Sequence, residues 1–148
     1  LFLFNCSSNN QLSNNTKLSV GYIGGEYDGL ILSNTLISYL NNFNILDQNS
    51  NYEVQSNISH SANLFITNID NTSDRERVIS NIDIKILSPE QNCFTYSLHD
   101  SVSQFYIFAS SDKFVSNKSA LENIKIENTE YLVKKFINDL DENSFDCN

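Results

Sequence analysis

Three cysteines, two histidines and a few clustered basic residues are the side chains here with chemistry beyond packing. Cys6 follows Leu1-Phe2-Leu3-Phe4-Asn5, which reads as the last turn of an apolar segment cut short. Four apolar residues are too few to span a bilayer, and the end of a signal peptide fits them better. A leucine three positions before a cysteine is the pattern of the bacterial lipoprotein signal, whose cysteine thiol becomes diacylated. Leu3 and Cys6 match it, Phe4 is tolerated, and Asn5 departs from the small residue usual at that place. The expectation is a lipid anchor on Cys6, with Ser7 after it pointing to the outer membrane; the alternative is an ordinary buried or disordered cysteine. Cys93 and Cys147 remain as a possible disulfide, which a periplasmic compartment permits and which spacing alone does not establish.

Other chemistry is sparse. There is no Cys-x-x-Cys, and His60 and His99 lie far apart with no ligand at helical spacing, so neither a metal site nor a cofactor is expected. His99 and Asp100 are adjacent, and on a strand they point to opposite faces, which excludes a direct dyad. Gly24, Gly25 and Gly29 lack the lysine and spacing of a phosphate loop and read as turn residues. No Gly-x-Ser-x-Gly, His-Glu-x-x-His or EF-hand loop occurs. Glu122, Glu127 and Glu130 read as one solvated helix face, and Asp139, Asp141 and Glu142 as a charged tail. The expectation is a protein that is not an enzyme.

Composition bounds the rest. The 148 residues are 40% hydrophobic and 11% aromatic, enough for one core. Nine basic against eighteen acidic residues give a net charge of −9, which excludes a general nucleic-acid binder, because phosphate neutralisation needs clustered Lys and Arg. The 23 asparagines are several times an ordinary share and fit A/T-rich coding. They also account for the Asn-x-Ser/Thr triplets at Asn5, Asn14, Asn57, Asn71 and Asn117, since about four are expected by chance, so these give no support for glycosylation.

The elements that must position these side chains follow from periodicity. Ser7 to Thr16 is polar and aperiodic, a flexible tether. Leu18, Val20 and Tyr22 alternate as a first strand, broken by Gly24-Gly25. Leu32, Leu36, Leu40 and Phe43, flanked by Ile37 and Tyr39, form the apolar stripe of a helix over 26–43. Tyr52, Val54, Ser56 and Ile58 alternate as a second strand, continuing through Leu64-Phe65-Ile66 after an irregularity near His60-Ser61. Arg77 to Leu87 is the clearest strand: Val78, Ile82, Ile84 and Ile86 on one face, Arg77, Asn81, Asp83 and Lys85 on the other, one face buried and one wet. Ser88-Pro89-Glu90-Gln91-Asn92 is a hairpin loop into Phe94, Tyr96 and Leu98, and Val102 to Phe108 either extends that strand or bulges. Ser119-x-x-Glu122 reads as a capping box opening the last helix. Leu121, Ile124, Leu132, Phe136 and Leu140, with Val133 and Ile137, are its core stripe, and Lys134 and Lys135 lie near its C-terminal end. The order β-α-β-β-β-α predicts an α+β two-layer sandwich, an antiparallel or mixed four-stranded sheet with two helices on one face. Residues 1–16 are expected to be anchor and tether, and 17–148 a single domain with a short acidic tail.

This order and texture resemble the family of the lipopolysaccharide-assembly lipoprotein LptE, from about Cys6 to Leu140. The resemblance rests on Leu36-Ile37-x-x-Leu40, on Tyr52-Glu53-Val54, and on Arg75-x-Arg77 leading into Val78-x-x-x-Ile82-x-Ile84. Phe105-Tyr106 and the helix from Ser119 to Leu140 complete it. It implies a lipid-anchored protein on the periplasmic face of the outer membrane that plugs and helps assemble an LptD β-barrel and handles lipopolysaccharide. Lipid A phosphates need Arg or Lys, and Arg75, Arg77 and Lys85 are the candidates, their alternative being solvated strand charges. The net −9 departs from that role. The second reading is a periplasmic accessory lipoprotein of an ABC-type lipid transporter, or an envelope adaptor.

Overall fold

In the computed structural model, which describes residues 16–66, 74–108, 114–140 and 147, the element order is the predicted one. It comprises β1 (Ser19–Gly24), α1 (Glu26–Asn42), β2 (Glu53–Ile66), β3 (Asp74–Ser88), β4 (Cys93–Phe108) and α2 (Phe114–Leu140). The sheet order is β1-β2-β3-β4, with β1 parallel to β2 and the other neighbours antiparallel. A parallel pair needs a crossover, and α1 supplies it. Leu32, Leu36 and Leu40 of α1 and Leu132, Val133, Phe136 and Ile137 of α2 meet Val54, Ile58, Ile82, Ile84 and Ile86 in one buried cluster. Both helices therefore cover one face of a mixed sheet, an α+β two-layer fold, and leave the other face open.

Local departures from the sequence expectation each have a physical cause. In β1, Val20 pairs with Val54 but Ile23 with Ser56, so three steps along β1 answer two along β2. This bulge turns both Val20 and Ile23 toward the core and sends Tyr22, expected inside, into solvent. Phe43 caps α1 rather than packing under it, and the chain then turns through Asn44 at φ 56° to bury Ile45. β2 runs unbroken against β3 from Glu53 to Ile66, with no irregularity at His60-Ser61. β4 likewise continues to Phe108.

The capping box is not one. α2 already begins at Phe114, so Ser119 sits inside the helix and exposed. Lys134 and Lys135 are not in its last turn. Asp139 is not tail: it lies in α2 and accepts the Tyr96 hydroxyl at 2.6 Å. Burial, reinforced by that carboxylate, pushes the Tyr96 phenol well above its ordinary range. Asp141 and Glu142 lie outside the described residues, as do Cys6 and the tether through Asn15.

One glycine is required by its backbone. Gly25, at φ 116°, turns β1 into α1, and a Cβ there would stand 2.7 Å from the Ile58 carbonyl oxygen. Gly25→Ala is expected to destabilise by about 1–3 kcal/mol, because an L side chain is strained at that φ. Urea denaturation checks it, and an unchanged midpoint would contradict the requirement.

Candidate functional site

β1 ends against Asn57, and α1 starts beside Ile58. From Ile58 onward β2 therefore projects beyond both, carrying the paired ends of β3 and β4 with it, for about 25 Å. The first half of α2 lies over the helix side of this overhang. Between them is a cleft of about 450 Å³ lined by Glu76, Tyr106, Phe114, Asn117, Lys118 and Leu121. The Tyr106 hydroxyl donates to Glu76 Oε2 across the β3–β4 pair.

Where α1 ends its cover, the sheet carries a buried polar row. Asn128 of α2 and Ser80 of β3 are both 0% exposed. Asn128 Nδ2 donates to Ser80 Oγ at 2.8 Å, and Gln104 Nε2 donates to Asn128 Oδ1 at 2.7 Å. His60 Nδ1 lies 2.6 Å from the same Ser80 hydroxyl. Beside them Lys125 Nζ stands 3.3 Å from Glu122 Oε1 and 3.8 Å from Asp28 Oδ1, linking α2 to the first turn of α1. Glu122 thus belongs to an interhelical cluster, whereas Glu127 and Glu130 are solvated as expected. Buried polar groups are tolerated only when hydrogen-bonded, and this row meets that condition.

Asp28, His60 and Ser80 are the residue types of an acyl-transfer triad, but the Ser80 hydroxyl is sealed from solvent and already held by Asn128. It is a structural hydroxyl, not an accessible nucleophile. Burial lowers the His60 pKa; Asp28 and Glu122 oppose this and Lys125 adds to it. The unfolded chain, with an ordinary histidine, binds a proton that the folded chain resists. The contribution of His60 is therefore to let stability decline as pH falls through the ordinary histidine range, and to leave it unaffected above about pH 6.5. His60→Gln is expected to flatten that decline between about pH 6.5 and 5 in thermal melts, and an equally steep decline in the variant would assign it to other groups.

On the open face, Arg75, Arg77 and Lys85 all project from β3 on the side expected. The Arg77 guanidinium lies 5.8 Å from the Phe105 ring centroid and donates to Ser103 Oγ at 3.3 Å. Lys85 Nζ lies 5.2 Å from the Phe94 centroid. Arg75 and Arg77 are neighbours on the overhang, but Lys85 is eight residues away, about 25 Å along the strand. The three share a face without converging on one anion. His99 and Asp100 point apart as predicted: His99 Nδ1 meets Asp83 at 2.6 Å on the open face, and Asp100 pairs with Lys135 on the helix side. Burial works against the Asp100 charge, but Lys135 and the Ser101 amide outweigh it and hold its pKa below the ordinary value.

Cys93 and Cys147 are brought together as a sulfur pair, with Cα atoms 6.2 Å apart, inside the range a disulfide accepts. Among the described residues there is no cluster of three or more potential metal ligands, and no helix is long and apolar enough to cross a membrane.

Three solved structures resemble this one. Rare lipoprotein B from Shewanella oneidensis matches with a TM-score of 0.64 at 9% identity, over 82% of this chain and 92% of that one. A candidate lipoprotein from Caulobacter crescentus gives 0.58 at 16% identity, over 83% and 88% of the two chains. A minor lipoprotein from Acinetobacter baumannii gives 0.53 at 16%, over 86% and 93%. At these identities the likeness is one of fold: the chain adopts a fold that bacterial lipoproteins adopt. No protein-family model matches the sequence, and no curated protein matches it significantly.

Proposed function

We propose that this chain is a non-catalytic outer-membrane lipoprotein, acylated at Cys6 and held at the periplasmic face. On this reading residues 1–16 are anchor and tether, and a single domain over 17–148 plugs an LptD-like β-barrel during lipopolysaccharide insertion, as LptE does. The observation that carries the reading is the open sheet face. Its exposed positions include Asn57, Ser59, Ser61, Asn63, Ser97, Ser101 and Ser103, small uncharged groups that can trade hydrogen bonds with a polar barrel lumen, and among its charges Asp83 is met by His99 while Arg77 and Lys85 lie over Phe105 and Phe94. The lipoprotein folds it resembles support the same reading. Arg75 and Arg77 are the pair placed to meet a lipid A phosphate, and the chain's −9 charge confines any such attraction to that local patch. The test is affinity purification from detergent-solubilised outer membranes with mass spectrometry. Recovery of a large β-barrel is expected. Recovery of an inner-membrane transporter instead would replace this reading with that of an ABC-transporter accessory. Membrane retention of Cys6→Ser would remove the lipid anchor from it.

A further inference from the structure

The bulge in β1 leaves one aromatic ring without a role in the core. An unbroken strand would carry Tyr22 on the same side as Val20, against the helices. The extra residue turns it to the open face, where it is 74% exposed. On that face Phe94 and Phe105 each lie beside a cation, Lys85 and Arg77 respectively. Among the described residues no cation lies over Tyr22.

Tyr22 is held against the sheet. Gly24 puts no side chain between it and β2: a Cβ there would come within 2.8 Å of Asn57 Oδ1 and 3.3 Å of the Tyr22 hydroxyl oxygen. Beside the ring is a shallow hollow of about 170 Å³, lined on the open face by Tyr22, Gln55, Asn57, Asp83 and Lys85. Gln55 pairs with Lys85 and Asn57 with Asp83 across β2 and β3, so the four polar side chains form one block.

The groups in that block select the chemistry of a ligand. Gln55 Nε2 donates to Glu53 Oε1 at 2.9 Å, and one Asp83 oxygen meets His99 Nδ1 at 2.6 Å. The Gln55 carbonyl, the second Asp83 oxygen and both ends of the Asn57 amide remain, acceptors and donors together. An anion would meet Asp83 and Glu53, and a cation would meet Lys85, so an uncharged ligand is favoured. β2 and β3 are paired on both sides here, so an extended peptide has no edge to join. A sugar ring matches both halves of the hollow. Its hydroxyls donate and accept, and its C–H groups can lie on the electron-rich face of an aromatic ring. The hollow is smaller than the roughly 300–1,000 Å³ of drug-sized pockets, which limits it to one such ring. We infer that this corner of the open face binds one neutral pyranose of a glycan, stacked on Tyr22 and hydrogen-bonded by Asn57, Gln55 and Asp83. The inference goes beyond the plug reading and uses side chains of this chain alone, in the half of β3 away from Arg75 and Arg77.

The full chain carrying Cys6→Ser is titrated with the methyl glycosides of glucose, galactose, mannose and N-acetylglucosamine. Saturation-transfer NMR is expected to show contact with at least one of them, concentrated on its ring C–H protons. The same glycoside is expected to move the side-chain amide resonances of Asn57. Tyr22→Ala is expected to weaken that binding by about tenfold or more, and Tyr22→Phe, which keeps the ring, by much less. A retained circular-dichroism spectrum separates the loss from unfolding. Tyr131→Ala, at a half-exposed position on α2, is expected to bind as the parent does. Absence of transfer to all four glycosides, undiminished binding by Tyr22→Ala, an equal loss in Tyr131→Ala, or a preference for methyl glucuronide or inorganic phosphate overturns the inference. Neither barrel nor membrane takes part in these assays, so their failure is distinct from failure of the plug reading.

Discussion

Phe136→Asp is expected to yield a chain that does not fold. Phe136 is 0% exposed in the last third of α2, its ring centroid 5.7 Å from that of Tyr96 and enclosed by residues from both helices and the sheet. Removing a buried phenylalanine costs about 3–5 kcal/mol in lost transfer and cavity. The carboxylate put in its place has no cation to meet. Lys135 is turned to Asp100, and Asp139, one turn further along α2, is a second negative charge. An unpaired buried charge adds several kcal/mol, and the total approaches the whole stability of an ordinary domain. Leu36→Asp, at an equally buried position on α1, is expected to do the same. Far-UV circular dichroism and a thermal scan decide it: a cooperative transition near the wild-type midpoint in either variant would remove that residue from the core.

The second large effect is expected on reduction. Cys93 begins β4 and Cys147 follows α2, with a separation of 54 residues. A bridge there fastens the far end of α2 to the sheet, so the helix is held at the β4 connection and again at its exit. Closing a loop of that length in the unfolded chain is worth about 4 kcal/mol, or roughly 15 °C in melting temperature for a domain this size. Reduced wild-type protein and Cys147→Ser are expected to melt together, both well below the oxidised protein. An oxidised protein indifferent to reductant would show that the two sulfurs are not joined.

What could be read from the residues in order is what repeats. The alternation from Val78 to Ile86 and the stripe from Ile124 to Leu140 are long enough that one period dominates, and both stretches form the expected type of element, each beginning earlier than expected, at Asp74 and Phe114. The bulge in β1 is a single extra residue in a six-residue strand, too short a run for its periodicity to expose. The Ser119–Glu122 spacing imitates a cap because Ser and Glu at that interval also occur freely inside exposed helix. The polar row was invisible for a different reason. Ser80 reads as an interruption of an apolar face, His60 as an isolated ring and Asn128 as one more asparagine, since their partners lie 20 and 48 residues apart. One sign was present: a serine in the middle of an otherwise aliphatic face needs a polar partner above it. Arg75, Arg77 and Lys85 fall on the open face that the alternation of β3 predicts, and eight residues of one strand between Arg77 and Lys85 are enough to keep them from one anion.

Asp100 has a meaning beyond its bond to Lys135. β4 is a boundary strand sixteen residues long, and among the described residues no strand lies along its outer side. From Cys93 to Phe108 it contains no Pro, Gly, Lys, Arg or Glu, so its row of free backbone groups invites a strand from another copy. Asp100 is the one acid in that run, and it points inward beneath the helix layer. A strand added alongside would have to approach a fixed charge already matched by Lys135, which is how natural sheets discourage growth at their margins. Asp100 thus does two things at once: it seats α2 through Lys135, and it sets an inward-pointing charge on the margin of the longest strand.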